Sequence, residues 1–390
     1  MNNLKYWLWL YEVFGVASER LWSAMHCFDE PSVAYWELCR GTHNLKLNHQ
    51  ELENIKSISL EQCMKLIDEC NSMGIRITGF SSREYPQYLK NIYNPPAVLF
   101  YKGDIECLNR MPCITMVGSR SSSSQSIMIA ERLGKELAEA GFVIASGFAV
   151  GSDISSQLGA VKAGFPTVCV MGCGIDVNYP KENFCFRDDI LKNGGVFISE
   201  FPPGTPPNSY NFPKRNRILS GISRATVVIE AGESSGALVT ARLAVEQNRD
   251  VFCIPPANIY DRRYAGNIKY LRDGAIAVYG YEDIISYFNM FFEQFPVIES
   301  DGEEQNIQEA SAEPDEIPEL SETAEEKDSD LPELSDIQRE IIRILMQGKT
   351  HIDVISEKLG YDVSELVIEM TNLEFDGIIQ SFPGKIYGLK

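Results

Sequence analysis

Short apolar runs alternate with longer amphipathic stretches between residues 97 and 280. The runs are AVLFY (97–101), ITMVG (114–118), FVIAS (142–146), TVCVM (167–171), VFISE (196–200), ATVVIE (225–230) and DVFCI (250–254). Near-continuous apolar strands that are separated by helices are typical of a parallel sheet covered on both faces. The pattern therefore predicts an α/β fold, a doubly wound, Rossmann-like domain with a mostly parallel sheet.

The two ends of the chain have helical periodicity instead. In residues 1–75 apolar side chains recur at helical spacing, as at Leu60, Met64 and Ile67, which predicts a small N-terminal helical module. Residues 333–390 contain three helix-like stretches, the third at about 363–375, and then IIQSFPGKIYGL, which is typical of a hairpin. Three helices and a hairpin indicate a winged-helix module.

An acidic segment separates the last two parts. Residues 296–332 are acidic, interrupted by proline and poor in aromatic residues, so we expect a disordered linker. The predicted organisation is a helical module (1–75), a Rossmann-like domain (76–295), the linker (296–332) and a winged-helix module (333–390).

Charge is unevenly distributed along the chain. The formal net charge is −20, but residues 299–336 hold sixteen Asp or Glu against one basic residue, Lys327, and so account for −15 of it. The rest of the chain carries only −5. The overall acidity therefore does not exclude an anionic partner for the Rossmann-like domain.

Cysteine usage and hydropathy suggest a cytoplasmic protein. The ten cysteines form no CxxC pair and no Cys/His run has zinc spacing, which favours reduced thiols and predicts no metal or cofactor site. The apolar N-terminal stretch is short and contains Glu12, so it is interpreted as a buried helix. The sequence contains no run of about 18 apolar residues, so we expect no membrane span.

The loops that follow the predicted strands are rich in glycine, serine and cations. Ser119, Arg120 and a serine run follow the second strand, and Gly147 and Gly151 follow the third. Exposed N–H groups at helix starts bind anions, and glycine lets a phosphate approach closely. Because these loops meet at one edge of a doubly wound sheet, they predict a phosphate-binding site, although each could be a structural turn.

One of these loops is long and contains clustered cations. Residues 211–221 are NFPKRNRILSG, with Lys214, Arg215 and Arg217 close to Tyr210 and Phe212. Cations that follow a phosphate backbone, interleaved with rings that stack on bases, are what a single-stranded nucleic acid requires. A solvated basic helix start with aromatic residues in the core remains the alternative.

The sequence gives little support for catalysis. The four histidines all lie outside the α/β region, and neither a GxSxG nor a GxxxxGK[ST] motif is present. Asp153, Asp176 and Glu200 follow strands and are interpreted as carboxylates that organise loops. We therefore expect a protein that is not an enzyme and has no catalytic residues.

Several motifs resemble the DNA-processing protein family DprA, also called Smf. They are SREYPQYLKNIYNPPAVLFYKGD (82–104), VGSR (117–120), GCGIDVNYPKEN (172–183), FPKRNRILSGIS (212–223), EAGESSGALVTARLA (230–244) and GNIKYLRDGA (266–275). The resemblance covers nearly the whole chain in the family's order, and it identifies the N-terminal helices as similar to a sterile-alpha-motif module.

The resemblance implies a protein that binds single-stranded DNA without catalysis, protects it and promotes its loading onto the RecA recombinase during natural transformation, as a homodimer through the Rossmann-like domain. Arg120, Lys181, Arg215 and Arg217 are then expected to contact phosphates, and Gly118, Ser119 and Gly236 to contribute backbone groups. Motif positions add four further candidate DNA-binding residues: Lys214, Asn216, Asn267 and Lys269.

The sequence departs from the family pattern in two places. The family's SGxARGID…AH is here SGFAVGSDISSQ (146–157), so that Val150 and Gln157 replace a basic residue and a histidine, and Pro256 replaces a glycine. Two other functions compete with DNA binding. One is a phosphoribohydrolase-like nucleotide-processing enzyme, whose expected PGGxGTxxE stretch is absent, and the other is a nucleotide sensor that uses the same anion pocket.

Overall fold

The computed structural model describes residues 3–291, 335–346, 350–359, 378–382 and 386–389, and positions 361, 366, 369, 370 and 373. The chain divides into two compact units, residues 1–303 and residues 304–390. The predicted disordered linker (296–332) lies outside the described residues, as does most of the helix predicted at 363–375.

A mixed sheet forms the centre of the described part of the first unit. Its strands are β1 (Arg76–Gly79), β2 (Val98–Gly103), β3 (Cys113–Val117), β4 (Val143–Ser146), β5 (Thr167–Met171), β6 (Val196–Ser199), β7 (Ala225–Val228), β8 (Asp250–Cys253) and β9 (Ile276–Ala277). Their order is β1-β2-β6-β5-β4-β3-β7-β8-β9. All pairs from β6 to β9 are parallel, whereas β2 pairs antiparallel with β1 and β6. The predicted mostly parallel sheet and its seven strands are confirmed, and β1 and β9 were not predicted.

Helices cover both faces of this sheet. Those that follow β2 are α6 (Cys107–Arg110), α7 (Ser124–Glu139), α8 (Ser152–Lys162), α9 (Arg187–Lys192), α10 (Asn211–Gly221), α11 (Ala237–Glu246), α12 (Ala265–Arg272) and α13 (Tyr281–Phe291). Successive residues of one strand face opposite sides of the sheet. In β5, Met171 packs in the core shared with α8, and Val170 packs in the core shared with α10. This two-sided burial explains why the strands are apolar without alternation.

The N-terminal helices share a core with the sheet. They are α1 (Leu4–Phe14), α2 (Glu19–Met25), α3 (Pro31–Arg40), α4 (His49–Ser57) and α5 (Leu60–Ser72). Leu8 and Trp9 of α1 are fully buried in the same cluster as Val98 and Phe100 of β2. Within the described residues no helix is both long and apolar enough to cross a membrane.

The second unit is described by itself. It contains α14 (Asp336–Leu345), β10 (Thr350–His351), α15 (Ile352–Leu359), β11 (Ile379–Phe382) and β12 (Ile386–Leu389). The strand order is β10-β12-β11, and β11 and β12 form the predicted antiparallel hairpin. A capping box at Ser335 and Gln338 begins α14, whose Ile341 and Leu345 are buried with Ile355 of α15.

Candidate functional site

A cleft of about 710 Å³ lies at the carboxyl ends of the central strands. Strand β3 is the first of the parallel strands, with β4 on one side and β7 on the other, so that the strand order reverses here. Ligands of doubly wound sheets bind at this topological switch point, and the volume is that of a small-ligand pocket. The loops after β3, β4, β5, β6 and β7 all contribute to the wall, so the predicted convergence of loops is confirmed. We call this site the switch-point cleft; its principal lining residues are Gly118, Ser119, Arg120, Asp153, Tyr179, Ser209, Phe212, Arg215, Asn216, Ser234, Ser235 and Gly236.

Arg215 forms the floor of the cleft. Its side chain is on the second turn of α10 and is only 5% exposed. The guanidinium donates to the carbonyl oxygens of Gly147, at 3.0 Å, and Val170, and to the Oδ1 of Asn216, at 3.2 Å. Burial lowers the pKa of Arg215 to about 10, so the group stays charged at neutral pH with little water around it.

Asp153 is the carboxylate that faces Arg215. It is 7% exposed and accepts the backbone N–H of Gly147 at 3.1 Å, and the N–H of Gly118 also hydrogen-bonds to it. Burial raises the pKa of Asp153, while the charge of Arg215 and these hydrogen bonds oppose the rise. Together with Asp176, which accepts the N–H of Gly204 at 2.9 Å, this confirms the interpretation of these carboxylates as loop organisers.

The rim of the cleft combines a cation with two rings. The exposed guanidinium of Arg120 lies 5.3 Å from the ring centroid of Phe212. The rings of Phe212 and Tyr179 have centroids 5.6 Å apart and are inclined by 38°. A smaller lobe of about 210 Å³ continues the cleft past these three residues towards Val150 and Glu182. A stacking surface next to a positive charge suits a base and its phosphate.

The serine run does not form the anion site that the sequence predicts there, because a carboxylate of the chain already fills it. The Oε2 of Glu230 accepts the N–H of Ser123 at 3.1 Å and the hydroxyls of Ser123 and Ser126, both at 2.7 Å. Ser123 is the N-cap of α7, so Glu230 holds the position at this helix start where a phosphate would bind. The hydroxyl of Tyr264 completes the group at 2.7 Å from the Oγ of Ser126.

Two of the three predicted backbone contributors have internal partners. The N–H of Ser119 donates to the carbonyl oxygen of Glu230 at 2.7 Å, and the N–H of Gly118 is engaged by Asp153. Gly118 instead allows close packing, because a Cβ there would lie 2.4 Å from the Oγ of Ser152. Both residues line the cleft, but the prediction that their N–H groups bind phosphate is not supported.

Gly236 differs from these two positions. It is the N-cap of α11, with φ at −59°, and a Cβ built on it would meet nothing within 4 Å. Neither backbone conformation nor internal packing therefore requires glycine here. The open space in front of it belongs to the cleft, at a helix start whose first turn carries no acidic side chain.

The structure does not bring Arg217 to the cleft. Its Nη2 lies 2.6 Å from both carboxylate oxygens of Glu200, and the two side chains are only 11% and 3% exposed. Glu200 also accepts the N–H of Ala17 at 3.3 Å, and its carbonyl accepts the hydroxyl of Tyr11 at 2.9 Å. Arg217 is thus part of a buried ion pair next to the N-terminal helices and does not line the cleft, so the structure gives no support to its expected role as a phosphate contact.

Asn267 is also placed inside the protein. Its side chain is fully buried, donates to the carbonyl oxygens of Val228, Ile229 and Ile254, and accepts the N–H of Ala231 at 2.8 Å. These bonds join the ends of β7 and β8, so the structure gives Asn267 a structural role and does not support the predicted DNA contact. Three predicted cations, Lys181, Lys214 and Lys269, are exposed but outside the lining of the cleft.

The departures from the family pattern have different surroundings. Gln157 is fully buried and its Nε2 donates to the carbonyl oxygen of Val168 at 2.9 Å. Val150 lines the smaller lobe of the cleft. Of these two positions, Val150 is the one at the surface of the cleft.

Comparisons with known proteins agree with this architecture. Residues 76–289 match the family model described as DNA recombination-mediator protein A, and residues 325–385 match the DprA winged helix domain. The DNA processing protein DprA of Bacillus subtilis is 40% identical over 223 residues, which cover 57% of this chain and 72% of that protein. Protein Smf of Escherichia coli is 31% identical over 303 residues, 78% of this chain and 74% of that protein.

A solved structure is similar as well. The structure of DNA processing protein A from Streptococcus pneumoniae superposes with a TM-score of 0.62 at 30% identity and covers 71% of this chain and 95% of that chain. The match to the first family model spans more than half of the 390 residues, and its range contains every strand from β1 to β9. This chain therefore belongs to the DNA recombination-mediator protein A family, also known as DprA or Smf, with a winged-helix domain at its C-terminal end.

Proposed function

We propose that this chain binds single-stranded DNA in the switch-point cleft and does so without catalysing a reaction. The observation that carries the proposal is the group formed by buried Arg215, exposed Arg120 and the ring pair of Phe212 and Tyr179. A phosphate is attracted by the two cations, and an unpaired base can stack on the ring at the rim. This interleaving of charge and rings is the requirement for single strands.

Duplex DNA fits the same surface less well. In a duplex the bases are stacked on one another and are not available to Phe212 or Tyr179. A duplex also carries one phosphate charge per about 1.7 Å of its axis, which calls for an extended basic surface, whereas the positive charge of the switch-point cleft is concentrated in two arginines. We expect the single strand to be preferred.

The geometry disfavours the nucleotide sensor and the nucleotide-processing enzyme. Both would place a terminal phosphate at a helix start of the switch point. At α7 that position is filled by Glu230, so a mononucleotide is left with the start of α11 at Gly236. Negative charge at 2.7 Å from the two serine hydroxyls repels a second anion. A mononucleotide is therefore expected to bind weakly compared with an oligonucleotide that reaches several loops.

We further propose that the bound strand is protected and passed to a RecA-type recombinase in the cytoplasm during DNA uptake, and that the chain acts as a homodimer through its Rossmann-like domain. Membership of a family described as a recombination mediator supports the handover. Faster assembly of recombinase filaments on coated DNA when the protein is added would support it, and no change would contradict it. A monomeric mass in light scattering would contradict the dimer.

The proposed site is tested by a salt series with Arg120→Ala. We expect the parent to bind single strands more tightly than duplex of the same sequence. We expect the variant to lose affinity for all sequences, with a salt slope smaller by about 0.7, because one phosphate contact is removed. Arg132→Ala is the matched control, since Arg132 is exposed on α7 and paired with Glu136. An Arg120 variant that binds like the parent at every salt concentration would exclude the cleft.

Gly236→Ala tests how closely the phosphate backbone approaches α11. The folded protein has room for the methyl group and a compatible φ, so the thermal midpoint should not fall. The methyl group extends into the cleft, so the affinity for single strands should fall several-fold if the strand approaches the backbone closely. A close approach of a ligand is the remaining reason for a glycine at this position. Unchanged affinity in fluorescence anisotropy would show that DNA does not reach the start of α11.

A further inference from the structure

A second depression lies on the other side of the loop that follows β6. It has a volume of about 540 Å³ between α1 and residues 201–210, and we call it the α1 groove. Its principal lining residues are Tyr11, Glu12, Val16, Phe201, Pro202, Thr205, Tyr210, Asn211 and Lys214. Of these residues, the sequence had indicated Lys214 as a candidate DNA contact and Tyr210 as a ring beside the clustered cations.

The first turn of α10 separates the groove from the switch-point cleft. Phe212 and Pro213 line the cleft, whereas Asn211 and Lys214 line the groove. One helical turn rises only about 5.4 Å, so a strand that leaves the cleft over Pro213 meets Lys214 at once. The two depressions therefore adjoin the same turn of α10.

The groove presents a ring and a cation in a fixed arrangement. The ring of Tyr210 is 62% exposed, and its hydroxyl accepts the Nδ2 of Asn208 at 2.9 Å. The Nζ of Lys214 lies 5.8 Å from the centroid of the same ring. The ring is thus oriented by one contact and accompanied by a charge, while much of its surface remains open for a stacked base.

We propose that the α1 groove is a second subsite for the same DNA strand, in which Lys214 contacts a phosphate and Tyr210 stacks on a base beyond those held in the cleft. The proposal rests on the proposed binding of single-stranded DNA. OB folds, which also bind single strands, have site sizes of about 4–16 nucleotides. The switch-point cleft has the volume of a small-ligand pocket, so we expect it to hold a number of nucleotides near the short end of such a range. The groove extends the site to longer strands.

Glu12 gives the groove an asymmetry. It is half-buried on α1, on the wall that faces the loop, and it has the same charge as a phosphate. Phosphates should therefore follow the side of Lys214, and Glu12 should weaken binding. Removal of its charge should consequently raise affinity, which loss of folding cannot do.

The test compares strands of about 4 and about 16 nucleotides, the two ends of the usual site range. Lys214→Ala should leave the affinity for the short strand unchanged and should lower the salt slope of binding to the long strand by about 0.7. Tyr210→Ala should lower the affinity for the long strand by about fivefold or more, because fivefold is the smallest loss typical of one stacked base. Glu12→Gln should raise the affinity for the long strand and leave the affinity for the short strand unchanged.

Two variants serve as controls. Lys214→Arg keeps the charge and should bind long strands like the parent, and Lys162→Ala removes an exposed cation at the far end of α8, where it pairs with Glu131. The inference is overturned if Lys214→Ala lowers the affinity for both strand lengths equally or for neither. It is also overturned if Glu12→Gln does not raise the affinity for the long strand. Failure of the short strand to bind the parent would instead contradict the proposed cleft, so the two failures are distinguishable.

Discussion

Arg217→Ala is expected to lower the free energy of unfolding by about 3–5 kcal/mol and to leave the DNA affinity of the folded protein unchanged. The substitution removes the only guanidinium that Glu200 bonds within the described residues, and it leaves a carboxylate that is 3% exposed without its counter-charge. An uncompensated buried charge is among the few single changes that cost this much. Urea unfolding and fluorescence anisotropy measure the two effects separately.

A double variant provides the control for Arg217. Arg217→Met combined with Glu200→Gln replaces both charges by neutral side chains of similar size and should recover much of the lost stability. In both variants the salt slope of DNA binding should equal that of the parent. A slope smaller by about 0.7 in Arg217→Ala would mean that Arg217 does contact a phosphate, as the motif resemblance implied.

Arg215→Ala is expected to affect both stability and binding. Loss of the cation leaves Asp153 buried without its counter-charge, which we expect to cost about 3–5 kcal/mol at neutral pH. The floor of the cleft also loses its positive charge, so single-stranded DNA should bind much more weakly even where the variant is folded. Arg215→Lys keeps a charge but not the fork of donors to Gly147 and Val170. Its stability and its affinity for DNA should therefore lie between those of the parent and those of Arg215→Ala.

The stability loss of Arg215→Ala should depend on pH. Burial raises the pKa of Asp153 and Arg215 opposes the rise, so the pKa in the folded variant is higher still. The folded variant then keeps a proton on Asp153 that the unfolded chain has released. The contribution of this group to stability is therefore largest at low pH and is lost as the pH rises through the raised pKa. The deficit relative to the parent should therefore shrink in mildly acidic buffer. If it does not, or if adding Asp153→Asn does not restore stability at neutral pH, the unpaired carboxylate is not its cause.

Helical geometry explains why two neighbouring arginines have different roles. Successive residues of an α-helix are about 100° apart, so Arg215 and Arg217 point in directions that differ by about 200°. Arg215 consequently faces the carbonyl oxygens of Gly147 and Val170, and Arg217 faces Glu200. The resemblance assigned both to phosphate because they share a motif, whereas one helix cannot present both to one ligand.

The strands were predictable because their signal is local. Runs such as TVCVM are buried on both faces, and burial of that kind selects apolar residues at every position. The convergence of the loops follows from the strand order of this class of sheet. By contrast, β1 has the sequence RITG, in which Ile77 is the one large apolar residue, so it forms no apolar run that the pattern could identify.

The partner of a helix start was not predictable, because it is distant in sequence. Ser123 and Ser126 follow β3, whereas the carboxylate that caps them follows β7, more than 100 residues later. A serine run before a helix is compatible with either an external anion or an internal one. The one available signal was an acidic residue at the end of the neighbouring strand, where Glu230 ends the run ATVVIE.

The internal carboxylate of Glu230 has a consequence for competition inside a cell. Nucleotides and other small phosphate metabolites are abundant, and an empty helix start would be occupied by them for much of the time. The carboxylate of Glu230 is part of the chain and occupies this position without a separate binding step, so a dissolved metabolite has to displace it in order to bind there. A polymer gains from several weaker contacts at once, which a metabolite cannot make, so the proposed binding of single-stranded DNA should be little affected by competing nucleotides at this position.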